Sequence, residues 1–315
     1  MKRVLLLSLS VIVGLVGGST AHAVTAAPYA SSPVLTSWLG NISTRAFVQT
    51  GDNVMIGGFI VRGTEPKRVI IRAIGPELSP FGINDPLADP TLELYDSSGV
   101  LIASNDNWVR TIIGGIITKD QVGDIRSSGY APGDVRESAV IADLPPGNYT
   151  AIVRGVNDTT GIALVEAYDL SPGTGNSTLG NISTRAFVQT DDNVMIGGFI
   201  VQGTTSKRLI VRAIGPELTQ FGVPDALANP TLELHDTTGA LLASNDNWTT
   251  TIIGGLITDS QVRDILDSGF APANRNESAM IVTLPPGKYT AVVRGVSDTT
   301  GIALVEVYDL DPGAL

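Results

Sequence analysis

The chain has 315 residues, with 20 Lys+Arg against 31 Asp+Glu, two His and no Cys. That length suits two domains, and the lack of Cys excludes disulfides, thiolate metal sites, iron–sulfur clusters and Cys nucleophiles. The low charged fraction (16%) and 35 glycines favour turn-dense all-β structure over helical bundles.

Residues 1–23 read as a secretory signal peptide. Lys2 and Arg3 form a basic start, Val4 to Gly17 an apolar run, and Ala21-His22-Ala23 a small-x-small cleavage site. The apolar run is shorter than the roughly 20 residues of a membrane span. Cleavage after Ala23 leaves 18 basic and 31 acidic residues, a formal charge of −13. Such a chain is unsuited to nucleic acid or to anionic lipid, and no second apolar span follows. The expectation is a protein secreted or held at the cell surface, or in the periplasm, without stable membrane insertion. An Ala/Ser/Pro-rich lead segment covers 24–38. Its Tyr29, Val34, Leu35 and Trp38 suit either an added strand on a neighbour's sheet edge or a tail.

From Leu39 the chain shows short apolar runs separated by turn residues. Asn53–Val61 and Arg68–Ile74 flank Gly63-Thr-Glu-Pro66 and predict a hairpin. Thr91–Tyr95, the turn Asp96-Ser-Ser-Gly99 and Val100–Ala103 predict a second. Ser138–Ala142, Pro145-Pro-Gly147 and Tyr149–Val153 predict a third. Gly161–Tyr168 is a closing strand, and Thr44–Gln49 an opening one, about eight strands in all. One helix is expected after Thr118-Lys-Asp-Gln121, which fits a capping box, with Gly129 as its stop. Gly57-Gly58 and Gly114-Gly115 lack phosphate-loop spacing.

The whole pattern then repeats. Leu39–Thr50 recurs unchanged at Leu179–Thr190, and the 140-residue register holds to Leu170↔Leu310 with roughly 95 identities in 132 positions. This period marks a duplicated domain rather than a solenoid unit. The chain therefore divides into modules 39–170 and 179–315, joined by a turn-rich linker at 171–178. Strands at this spacing predict an all-β fold of two tandem antiparallel β-sandwich (jelly-roll-like) domains, each with one short helix.

Ile56-Gly-Gly-Phe-Ile60, Arg72-Ala-Ile-Gly-Pro76, Asp89-Pro-Thr-Leu-Glu-Leu94, Ala103-Ser-Asn-Asp-Asn-Trp108, Leu144-Pro-Pro-Gly147 and Leu164-Val-Glu-Ala-Tyr-Asp169 resemble a repeat module of secreted bacterial surface proteins without assigned activity. Leu92–Ser104 and Leu144–Gly155 are distantly similar to prepeptidase C-terminal β-sandwich domains. The second resemblance implies a non-catalytic accessory role, often in binding or secretion.

The residues themselves offer little catalytic chemistry. His22 leaves with the signal and His235 aligns with Tyr95, so no His-based triad or zinc site can be built in both modules. Glu77, Glu93, Asp96, Asp106, Glu137 and Glu166 are carboxylates that nothing in the sequence pairs. Arg72 and Arg154 suit cross-sheet pairs with Glu77, Glu137 or Glu166. Calcium is the cofactor considered. Asn105, Asp106 and Asn107 with Asp96, and Asn245, Asp246 and Asn247 with Asp236, supply the hard oxygens it needs; equally, these residues cap turns through their own backbone. Trp108 and Trp248 suit a sugar-stacking platform or a buried loop anchor. Two functions remain in view. One is a non-catalytic binding or adhesion tandem for a polysaccharide or surface protein; the other is a structural subunit assembling head to tail with copies of itself.

Overall fold

The computed structural model describes residues 37–172 and 176–311. The predicted signal peptide lies outside the described residues, as does the lead segment before Ser37. Among the described residues no helix is long and apolar enough to cross a membrane.

The first copy folds into β1 (Ser37–Val48), β2 (Met55–Gly63), β3 (Lys67–Ile74), β4 (Pro90–Tyr95), β5 (Leu101–Asn105), β6 (Ser138–Leu144), β7 (Gly147–Gly155) and β8 (Gly161–Asp169). The second repeats it as β9 (Ser177–Val188), β10 (Met195–Gly203), β11 (Lys207–Ile214), β12 (Pro230–His235), β13 (Leu241–Asn245), β14 (Ser278–Leu284), β15 (Gly287–Gly295) and β16 (Gly301–Asp309). The opening strand begins seven residues before Thr44, and the end of the expected linker already belongs to β9.

Antiparallel pairing gives each copy two four-stranded sheets, β6-β3-β8-β1 and β5-β4-β7-β2 in the first. This is jelly-roll topology: strands pair first with last, second with seventh, third with sixth and fourth with fifth, and the long ribbon rolls into a sandwich. The β4–β5 hairpin forms as expected around Asp96–Gly99. The other two expected hairpins do not. β2 pairs with β7 while β3 pairs with β6 and β8, so Gly63–Pro66 carries the chain between sheets. Gly63 sits at φ +116°, open to glycine. Pro145-Pro146 likewise crosses from β6 to β7; neither proline has an N–H for a hairpin ladder, and Tyr149 Oη donates back to the Pro145 carbonyl at 2.7 Å. Alternation within each run was legible, but it does not say which sheet receives the next strand.

The copies meet edge to edge. β1 pairs antiparallel with β10, from Ser37↔Gly203 to Arg45↔Ile196, and β2 pairs with β9 in the same way. Two eight-stranded layers thus run through both copies, related by a pseudo-two-fold axis, and parallel β1–β9 bridges at Leu39↔Leu179 and Phe47↔Phe187 link them into one 16-stranded sheet. On that axis the buried Thr184 hydroxyl donates to Thr44 Oγ1 at 2.7 Å. The largest apolar cluster is continuous across the join, from Leu39, Ile42, Met55 and Phe59 to Leu179, Ile182, Met195 and Phe199.

Near the outer ends the strands are covered on both faces. α1 (Val122–Ser127) and its equivalent α2 (Val262–Asp267) are the expected single helices of each copy. The capping box does not form: the helix starts at Gln121 with no side-chain cap. Gln121 instead turns to β6, where its Oε1 accepts the Ile141 N–H at 3.1 Å. Ile125 of α1 and Trp108 cover Ile70 and Ile141. Double coverage explains why β3 reads as nearly continuous burial rather than alternation.

It also explains why the Arg72 ion pair is largely buried, while a second buried pair, at Lys67, lies on the inner face of β3. Arg72 points to the covered outer face of β3 and meets Glu166, directly opposite on β8. Tyr168 donates to the same carboxylate at 2.7 Å, and Arg72 donates to the Tyr130 carbonyl at 2.8 Å. Arg154 pairs instead with Glu93, at 3.6 Å. At the mouth of β3, the buried Lys67 Nζ lies 2.7 Å from Asp169 and donates to the Ser171 carbonyl at 2.8 Å. It thereby ties the end of β8 to the start of the connection between copies. Removing one partner of a buried pair strands the other charge. Lys67→Met should therefore cost about 3–5 kcal/mol in urea unfolding, and Lys67→Met with Asp169→Asn should recover part of that loss.

Candidate interaction surfaces

The predicted calcium ligands do not converge. Asp96 lies at the turn of the β4–β5 hairpin, where its Oδ1 accepts the Ser98 and Val100 amides at 2.9 and 3.1 Å. Those hydrogen bonds, led by Val100, hold its carboxyl below the usual range. Asn105 is opposite Leu92, at the other end of the hairpin, four residues or about 13 Å along the strand. Its side chain is committed: Oδ1 accepts the Ala139 N–H at 3.1 Å and Nδ2 donates to the Arg110 carbonyl at 2.8 Å. Asn107 contributes its carbonyl to the Arg110 amide at 2.9 Å. The second copy repeats this with Asp236, Asn245 and Asn247. Local turn capping is therefore what Asp96 and Asp236 do.

Asp106 and Asp246 differ. Each keeps a buried Oδ1 without a hydrogen-bond partner, and so do Asp89 and its equivalent Asn229. Burial, then repulsion from Asp106, raises the Asp89 carboxyl, with Arg136 opposing. Sequence reasoning grouped Asp106 with Asp96; the fold sets it beside Asp89 instead. Among the described residues no group of three or more His, Cys, Asp or Glu is placed to hold a metal ion.

Trp108 and Trp248 are anchors rather than platforms. Both are buried, and their Nε1 groups donate to the backbone of Asp134 and Asn274 at 2.9 and 3.0 Å. Neither offers a face for a sugar to stack on.

Glu137, expected as a cross-sheet partner for Arg72 or Arg154, is instead a second anchor, as is its equivalent Glu277. Glu137 is fully buried, and its carboxylate accepts the Gly75 and Glu77 amides at 2.7 and 2.8 Å. These are orphan donors at the start of the 3-10 turn Pro76–Phe81. Glu77 in turn accepts the Gly133 N–H at 2.9 Å. Burial pushes Glu137 and Glu277 up to about 7, against the lowering effect of those amides. The residues were visible as carboxylates, but nothing local marks them as buried.

The exposed apolar residues are concentrated. Among the described residues, Leu101, Ile112, Ile113 and Ile116 in one copy, and Leu241, Ile252, Ile253 and Leu256 in the other, account for most of the exposed large hydrophobic side chains. The loop is built to present them. Gly114 and Ile117 exchange backbone hydrogen bonds at 2.9 Å, and the Ile116 amide donates to Ile102 of β5 at 2.8 Å. Ile117 is buried as the plug of the turn. Gly115 has φ +55°, and a Cβ there would lie 2.1 Å from the Ile102 carbonyl oxygen, so only glycine fits. Thr111 donates to Asp120 at 2.6 Å and accepts the Gln121 amide at 2.8 Å, fixing the far side. Ile113 and Ile253 are each 59% exposed. Because β5 and β13 are outermost strands, these two tips lie at opposite ends of the joined sheets. The sequence signal was the Thr-Ile-Ile-Gly-Gly-Ile/Leu-Ile-Thr run, read only as not being a phosphate loop. A cleft of about 160 Å³ near the first tip is lined by Arg68, Lys119, Gln121, Asp124 and Asp143.

No family model matches the chain, and no curated protein matches it. Among solved structures it is similar to a DUF4785 family protein from Legionella pneumophila, at 9% identity and a TM-score of 0.24, over 89% of this chain and 84% of that one.

Glu137 and Glu277 set a pH dependence. In the fold they hold their protons to about pH 7, whereas in the unfolded chain they ionise near 4.5. Their contribution is complete below 4.5 and is lost as pH rises through 7. Stability should fall across that window by up to about 3 kcal/mol per carboxyl. Glu137→Gln with Glu277→Gln should flatten the slope in urea titrations between pH 5 and 7.5; an unchanged slope would assign it elsewhere.

Proposed function

We propose that the mature chain acts outside the cytoplasm as a non-catalytic, bivalent adhesion protein whose two end tips bind an apolar surface of a protein partner. The observation that carries this reading is the gathering of exposed isoleucine and leucine on two equivalent, rigid turns. Monomeric proteins seldom leave such residues together in water without a use. The burial of Trp108 and Trp248 favours a protein partner over a polysaccharide, because stacking on sugar needs an open aromatic face. Two equal sites on one stiff body also let weak single contacts add through avidity. The likeness of the sequence to secreted repeat modules, and the export signal read at residues 1–23, support the same reading.

Ile113→Glu with Ile253→Glu tests it. Both side chains are exposed, so the free energy of unfolding should stay within about 0.5 kcal/mol of wild type. Binding of the fluorescently labelled mature chain to intact bacterial cells should weaken at least tenfold, and protease treatment of the cells should abolish it. Binding that survives both, or that is lost on periodate oxidation of the cell surface instead, contradicts the proposal.

The second reading, a self-assembling subunit, is favoured by the join between the copies rather than by the tips.

A further inference from the structure

Each copy alone is a sandwich with one open side, where β1 and β2 present unpaired backbone edges. In the chain the other copy closes that side. The contact is self-complementary: whatever the first copy gives, it receives back from the second. Arg45 donates to the Asp192 carbonyl at 2.8 Å, and Arg185 donates to the Asp52 carbonyl at 2.8 Å. Thr44 meets Thr184 on the axis. β1 pairs with β10 as β9 pairs with β2.

The surface is also nearly the same on both copies. Leu39–Val48 is identical to Leu179–Val188, and Met55–Val61 is identical to Met195–Val201. The differences lie at the rim. Trp38 Nε1 donates to Gln202 Oε1 at 2.8 Å, while at the equivalent place Thr178 stands opposite Arg62. A surface so repeated has little means of telling its own chain's other copy from a copy in another chain. Only the covalent connection favours the internal partner, through an effective concentration on the millimolar scale.

We infer that this join is a self-recognition surface that a second copy of this chain can occupy. One copy of a molecule then pairs with a copy of the next, leaving its own second copy open to a third molecule. Each join is closed in itself, but a chain that carries two such faces propagates as a linear polymer wherever it does not end in a reciprocally swapped dimer. Concentration selects the outcome: closed monomers when dilute, open polymers as chain concentration approaches the effective concentration of the internal join. The inference does not depend on the end tips.

The test uses the full mature chain with Thr44→Cys and Thr184→Cys. The two hydroxyl oxygens are 2.7 Å apart and buried, and the chain has no other cysteine, so a disulfide at this place reports the join and nothing else. The protein is unfolded in urea, refolded at chain concentrations from about 1 μM to about 1 mM, oxidised with copper phenanthroline after folding is complete, and run on non-reducing gels. The expected result is internally linked monomer at the dilute end and a ladder of disulfide-linked multimers at the concentrated end. Thr44→Cys alone should give linked dimers only at high concentration. Internally linked monomer at every concentration would overturn the inference. Larger species without inter-chain disulfides would overturn it too, since they would have formed through another surface. Should the double variant not fold, sedimentation of the wild-type chain over the same series decides. Integer multiples of the monomer that come apart only on unfolding support the inference, and monomer throughout refutes it.

Discussion

The structure depends on how two open sandwich edges are satisfied. A jelly roll made from eight strands leaves its first and second strands at the rim, with a row of backbone donors and acceptors facing outward. Buried without partners, such groups cost about 1–3 kcal/mol each; left in water, they invite pairing with other chains. Here the second copy supplies the missing partners. β10 and β9 complete β1 and β2, and the apolar core passes through the join without a break. The duplication is therefore a structural solution as well as a repeat: each copy is the cover for the other's exposed side.

The far ends follow from the same arrangement. With the inner edges consumed by the join, the outer strands β5 and β13 must be protected by other means. Each carries a tight glycine turn that donates one amide to the strand, Ile116 to Ile102 and Leu256 to Leu242. That turn blunts the edge and at the same time lifts a short apolar tip into solvent. Behind it, buried carboxyls and tryptophans hold the long β5–β6 connection in place: Glu137 on the amides of Gly75 and Glu77, and Trp108 on the Asp134 carbonyl. Glu137 and Trp108 thus serve as internal fasteners, Asp106 and Asp246 keep an unpartnered buried oxygen, and the exposed end tips are made of aliphatic side chains.

Much of this was legible from the sequence. Eight strands, one helix and a 140-residue duplication follow from turn residues, alternation and direct comparison of the two halves. The pairing of Arg72 with Glu166 was among the partners that cross-strand logic allowed. What could not be read was set by distant neighbours. Alternation in Met55–Val61 and Val69–Ala73 is the same whether the chain makes a hairpin or crosses between sheets. Thr118 and Gln121 match a capping box, but Gln121 has a better use against the Ile141 backbone. Asp96 and Asp106 are ten residues apart in sequence and at opposite ends of one hairpin, so their shared chemistry never meets. Lys67 and Glu137 gave no local sign of burial, because both are covered by segments from elsewhere in the chain.

The central claim is that the two copies form one cooperative body through shared sheets. Differential scanning calorimetry of the mature chain tests it most directly. The account predicts a single transition whose calorimetric enthalpy matches its van't Hoff enthalpy. Two resolved transitions, or a calorimetric enthalpy near twice the van't Hoff value, would mean that the copies unfold independently and that the join does not hold them as one.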